Sequence, residues 1–90
     1  MKINYELDFE TIDDQIVVLD NCNNYFGDSK ALILNKSATH ILLCIKENKS
    51  YEETINEYAK LFKLGNDKAT VDVDECLNNF ITKGIIINDK

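Results

Sequence analysis

The sequence contains no arginine. All ten basic residues are lysine, set against sixteen acids, for a formal net charge of −6. A chain this poor in positive charge suits nucleic acid badly, since cations must neutralise phosphate and arginine forks read base edges. The same balance opposes docking on an anionic membrane surface. No apolar run approaches the ~18 residues needed to span a bilayer, and no N-terminal signal peptide is visible, so a cytoplasmic protein is expected. Proline and tryptophan are absent, and glycine occurs only at Gly27, Gly65 and Gly84. Those three read as turns and caps, which leaves no glycine-rich loop to cradle phosphate.

Thiol and imidazole chemistry is equally sparse. Cys22, Cys44 and Cys76 lie 22 and 32 residues apart, and His40 is the sole histidine. There is no CxxC pair, and an odd number of cysteines cannot all pair internally. A four-ligand zinc site would need all three cysteines plus His40 or a carboxylate, without local chelating spacing. The residues read instead as buried or half-buried thiols in a reducing compartment. No catalytic residue, no metal and no cofactor is expected, and an enzyme is the weakest of the functional classes.

What remains is an ordinary globular mix, 44% hydrophobic and 29% charged, which excludes disorder. Ninety residues are too few for two independent cores, so residues 1–90 are expected to form one domain. From Ile3 to Phe9, apolar Ile3, Tyr5, Leu7 and Phe9 alternate with polar residues, predicting a strand with one buried face. Thr11–Asp14 suits a turn, and Gln15–Leu19 a second strand closing a hairpin. Asp20–Asn24 and Gly27-Asp28 read as loop, and Ala31–Leu34 as a third strand.

Helical spacing then takes over. Ala38, Ile41, Leu42 and Ile45 form one apolar stripe behind Asn35 as N-cap. Ser50 and Glu53 make a capping box before Ile55, Tyr58, Ala59 and Phe62. Gly65-Asn66 ends that helix, and Asp67 is placed to cap a third carrying Ala69, Val73, Cys76, Leu77 and Phe80, with Gly84 as its left-handed stop. Ile85–Ile87 reads as a short strand or a pinned extended tail. The expected fold is α+β: a winged helix-turn-helix with a three-stranded antiparallel sheet followed by three helices. DNA binding, the obvious use of that shape, is opposed by the third helix, where Asp67, Asp72, Asp74 and Glu75 face only Lys68 and Lys83.

Leu34-Asn35-Lys36-Ser37-Ala38-Thr39-His40-Ile41 resembles the LN-x-[ST]-A-x-x-I signature of the PqqD-like family. The capped Ser50–Ile55 segment is similarly spaced, and Asp72–Ile86 follows the pattern DV-x-x-[FC]-L-x-x-[LF]-x-x-x-G-[LI]-[LI]. The chain differs in a longer Asp20–Ser29 stretch, in Leu42 where an aromatic often stands, and in having no arginine on the third helix. The resemblance implies a RiPP recognition element. Such a domain binds the leader segment of a ribosomally made precursor peptide and presents it to a modifying enzyme, such as a radical SAM enzyme, a cyclodehydratase or a leader protease. The leader is added as a strand beside the third strand, in the groove against the third helix.

The residues agree with that use, because an open apolar edge offers main-chain hydrogen bonds and alternate pockets. Lys30, Ala31, Leu32, Ile33 and Leu34 are the expected docking strand. On the third helix Val73, Leu77 and Phe80 read as core, with Leu77 also reaching the site. Thr70, Asp74, Asn78 and Ile81, along one shoulder, are the expected groove wall. Asp72, Glu75 and Asn79, along the other, read as solvated surface. The alternative is an acidic winged-helix domain for another protein–protein contact or for transcriptional regulation.

Overall fold

Asn4 interrupts the alternation at the start of the chain. Its amide donates to the Ile85 carbonyl (2.9 Å), its Nδ2 to the Gly84 carbonyl (2.8 Å), and its Oδ1 accepts from the Glu6 amide (3.1 Å). The chain therefore turns, and the single strand expected over Ile3–Phe9 is two: β1 (Lys2–Ile3) and β2 (Asp8–Ile12). Tyr5 is left 73% exposed while Ile3 and Leu7 are buried. The computed structural model describes residues 2–87, so the ends of the expected 1–90 unit lie outside the described residues.

β2 and β3 (Gln15–Leu19) form a hairpin closed by Asp13 and Asp14, both at positive φ (50° and 65°). Two such residues in a two-residue loop make a type I′ turn, whose twist matches that of the flanking strands. β4 (Ala31–Ile33) pairs antiparallel with β3, giving the sheet order β2-β3-β4. Three helices follow: α1 (Lys36–Lys46), α2 (Tyr51–Phe62) and α3 (Asn66–Thr82). Finally β5 (Ile86–Ile87) returns to pair with β1, Ile3 opposite Ile86. This is an α+β, winged-helix-like fold, with a three-stranded antiparallel sheet ahead of three helices.

Local chemistry sets the helix limits. Asn35 Oδ1 accepts from the Ala38 amide (2.8 Å), and Ser50 and Glu53 exchange both bonds of a capping box. α1 ends on Asn48 at φ 61°, with the Asn48 amide on the Ile45 carbonyl and the Lys49 amide on the Cys44 carbonyl. α3 ends the same way on Gly84 at φ 77°, its amide on Ile81 and that of Ile85 on Phe80. Both are Schellman motifs, and the second buries Ile85 completely. The start of α3 departs from expectation. Gly65 is its N-cap, without a side-chain bond, and Asp67 sits in the first turn, where its charge still favours the helix dipole.

The core joins Ile16 and Val18 of β3 and Leu34 to Ile41, Leu42, Ile55, Tyr58, Val73 and Phe80 of the helices. Each such side chain contributes about 1.5–3 kcal/mol when fully buried. Thr39, buried within α1, ties the layers together: its hydroxyl accepts from the Ile16 amide (3.1 Å) and lies 3.4 Å from the Leu34 carbonyl as donor.

The segment from Asp20 to Ser29 is organised by Asp20, which is only 1% exposed. Its carboxylate accepts from the amides of Asn24 (3.2 Å), Tyr25 (2.8 Å) and Phe26 (2.8 Å). Tyr25 and Phe26 are thereby laid against the core. Burial alone would raise the Asp20 pKa, but the amides of Phe26, Tyr25, Asn24 and Asn23 together outweigh it and hold the carboxyl below its ordinary 3.8. A folded pKa below the unfolded one stabilises the fold above the unfolded value, and this is lost as pH falls through the folded value. Asp20→Asn is therefore expected to lower the melting temperature by several degrees at neutral pH, with the gap to wild type closing below pH 3.8. Melting curves across pH check this. A gap that does not change with pH would remove Asp20 ionisation from the account.

Candidate functional site

β4 is an edge strand, and its polarity of hydrogen bonding is fixed by its neighbours. The Leu34 amide donates to Ile16 (2.9 Å), and the Lys30 carbonyl accepts from Asp20 (2.8 Å). In an antiparallel ladder the pairing alternates, so Leu32, opposite Val18, also turns its main-chain groups to β3. Ala31 and Ile33, opposite Leu19 and Val17, turn theirs to the open edge. The side chains divide likewise. Leu32 and Leu34 face inward with Val18, whereas Ile33 is 67% exposed on the outer face.

Beside that edge runs a groove of about 330 Å³ between β4, the start of α1 and α3. Leu32, Leu34, Ala38, Ile41, Phe80 and Ile85 make its apolar floor. Its α3 wall is Asp72, Glu75, Cys76, Asn79 and Lys83. This corrects the expected map, because the wall is the shoulder assigned to plain surface. Thr70, Asp74, Asn78 and Ile81 lie around the helix, away from β4. Asp74 accepts from Tyr51 Oη of α2 (2.6 Å), and Thr70 bonds back to Asn66 of its own helix (2.7 Å). Leu77 is buried and lines a different cleft with Ile45, Lys49, Tyr51 and Thr54. Of the expected site residues, the structure gathers Leu32, Ile33 and Leu34 at this groove, with Ala31 in an adjoining hollow beside Tyr25, Phe26, Ser29 and Lys83. Lys30 precedes them, exposed.

The groove has a charge order. β4 and α3 run in opposite directions, so Lys83 stands at the Ala31 end and Asp72 at the Leu34 end. Asp72 is held there, accepting from Tyr58 Oη (3.2 Å) and pairing with Lys68 Nζ one helical turn away (3.0 Å). That bond raises the Lys68 pKa, and burial raises that of Tyr58, so both keep their protons at neutral pH. Glu75, one turn further on, is exposed.

Neither Cys44 nor Cys76 is activated. Burial pushes Cys76 up to about 12, and burial followed by the Glu57 charge raises Cys44, the reverse of a nucleophile's environment. Among the described residues, His40, Cys44 and Glu57 bring their ligand atoms within 4.8 Å of one another. His40 Nε2 lies 3.6 Å from Cys44 Sγ, one turn along α1. They offer three donors rather than four, and Lys49 already bonds Glu57. Cys22 is exposed and Cys76 lines the groove, so the three cysteines do not converge.

A solved structure of TbiB1 in complex with the TbiA(beta) leader peptide shares this fold: TM-score 0.83 at 19% sequence identity, covering 100% of this chain and 99% of that one. No family model and no curated protein matches the sequence. Among the described residues, no helix is long and apolar enough to cross a membrane.

Proposed function

We propose that this chain is a PqqD-like recognition element. It binds the leader segment of a ribosomally made precursor peptide as a strand on β4 and presents it to a peptide-modifying enzyme. The observation that carries the reading is the pairing of an open edge with a groove: Ala31 and Ile33 turn their main-chain groups outward, and α3 stands alongside to receive alternate side chains. The likeness in fold to a protein solved with a leader peptide on it supports the same use. The binding surface is Lys30–Leu34 with Asp72, Glu75, Cys76, Asn79 and Lys83. The acidic wall makes nucleic acid a poor occupant, since phosphate would meet Asp72 and Glu75. The partner enzyme belongs to the classes that act on leader-bearing peptides: radical SAM enzymes, cyclodehydratases or leader proteases. The chain itself supplies binding and no catalysis.

The test begins with a search of the neighbouring genes for a short precursor reading frame, followed by an amide-shift titration with a synthetic leader taken from it. Shifts are expected in Ala31–Leu34 and along Asp72–Lys83. Clustering on Thr70, Asp74, Asn78 and Ile81 would restore the other shoulder, and clustering on Glu52–Tyr58 would end the strand-addition reading.

A further inference from the structure

The order of charge along the groove restricts which strand fits it. A segment hydrogen-bonded to β4 turns every second side chain toward α3. At the Leu34 end those side chains meet the exposed Glu75 and Asp72, whose carboxylate Lys68 and Tyr58 already engage. In the middle they meet Leu32, Cys76 and Phe80, and at the Ala31 end Lys83. From Glu75 to Lys83 the helix rises about 12 Å at 1.5 Å per residue, and four strand residues cover about 13 Å. Only an even spacing keeps both side chains on the groove side, which selects positions i and i+4. The sheet is antiparallel throughout, and an antiparallel addition is the more stable per residue.

We propose that the peptide recognised here is a charge-ordered strand, with a cation at position i facing Glu75, an apolar side chain at i+2 over Cys76 and Phe80, and an anion at i+4 facing Lys83, running antiparallel to β4. This rests on the strand-addition reading and adds to it a sequence rule. Two opposite charges on the wall reject a uniformly acidic or uniformly basic segment, because one end always meets its own sign. On the outer face, the i+1 and i+3 side chains lie beside exposed Ala31 and Ile33, where β-branched residues pack well.

Three short synthetic peptides, alike except at the two charged positions, test it: Lys-Thr-Leu-Thr-Glu, Glu-Thr-Leu-Thr-Lys and Gln-Thr-Leu-Thr-Gln, each in the same neutral flanks. The first is expected to bind about tenfold tighter than the second at low salt, with the neutral peptide between them and the spread narrowing as salt rises. The double variant E75K/K83E, checked for intact fold by circular dichroism, is expected to reverse the ranking. Equal affinities with amide shifts still centred on Ala31–Leu34 would overturn the charge order and leave strand docking standing. Shifts that avoid Ala31–Leu34 for all three peptides would overturn strand docking and the charge order together. A ranking that the double variant does not reverse would detach the preference from Glu75 and Lys83.

Discussion

Replacing Ile33 by proline is expected to reduce peptide binding about tenfold or more while the sheet survives. The Ile33 amide points away from β3, so no ladder bond is lost within the protein. The edge does lose one of its two outward donors, and the proline ring occupies the space an incoming strand must enter. Leu32→Pro makes the contrast: it removes a donor aimed at β3 and should unfold the β4 pairing itself. Calorimetry with the leader peptide, beside circular dichroism of the variant, separates the two outcomes. A folded Ile33→Pro protein that binds as tightly as wild type would mean the peptide does not use this edge.

The largest loss of stability is expected at Gly84. A left-handed φ of 77° costs a residue with a Cβ about 1–2 kcal/mol, and a Cβ built there collides with the Tyr25 ring. Gly84→Ala is expected to lose about 2–5 kcal/mol, the sum of backbone strain and overpacking. Urea unfolding measures it, and a double-mutant cycle with Tyr25→Ala apportions it. In the Tyr25→Ala background the cost should fall toward the backbone contribution alone. A penalty that ignores Tyr25 would show that the ring moves freely and that the Asp20–Ser29 segment is not clamped to the end of α3.

The parts of the fold that were legible in the sequence are those decided within a few residues. Asn35, the Ser50–Glu53 box and Gly84 act on amides and carbonyls in their own turn, so their spacing is enough. The turn at Asn4 was hidden because its decisive partner, the Gly84 carbonyl, lies 80 residues away. Asp20 read as one polar residue in a loop, since nothing local says that it is buried or that three following amides converge on it. β4 was readable as a strand from its composition, but the flank of α3 that lies beside it was not. Helical periodicity gives one apolar stripe with two flanks, and it is symmetric between them. Which flank meets β4 depends on the path of the chain through α1 and α2, a tertiary property. One signal did exist: Tyr51 and Tyr58 on α2 need partners for their hydroxyls, and they take Asp74 and Asp72 on opposite sides of the stripe.

The brevity of β4 has a kinetic meaning. Only Ala31 and Ile33 turn outward, so a docked strand gains at most four main-chain hydrogen bonds, two given and two received. At about 0.5–1.5 kcal/mol net each, these amount to about 2–6 kcal/mol. Association costs about 4–15 kcal/mol in lost freedom, so backbone pairing by itself gives at best very weak binding. A generic extended chain that meets this edge dissociates, which also protects the protein from pairing with its own copies. Retention is decided by the side chains that reach the α3 wall, and a modest sum of such contacts gives a short residence time. On the proposed function, in which the peptide passes to an enzyme, such a grip is tight enough to choose and brief enough to release.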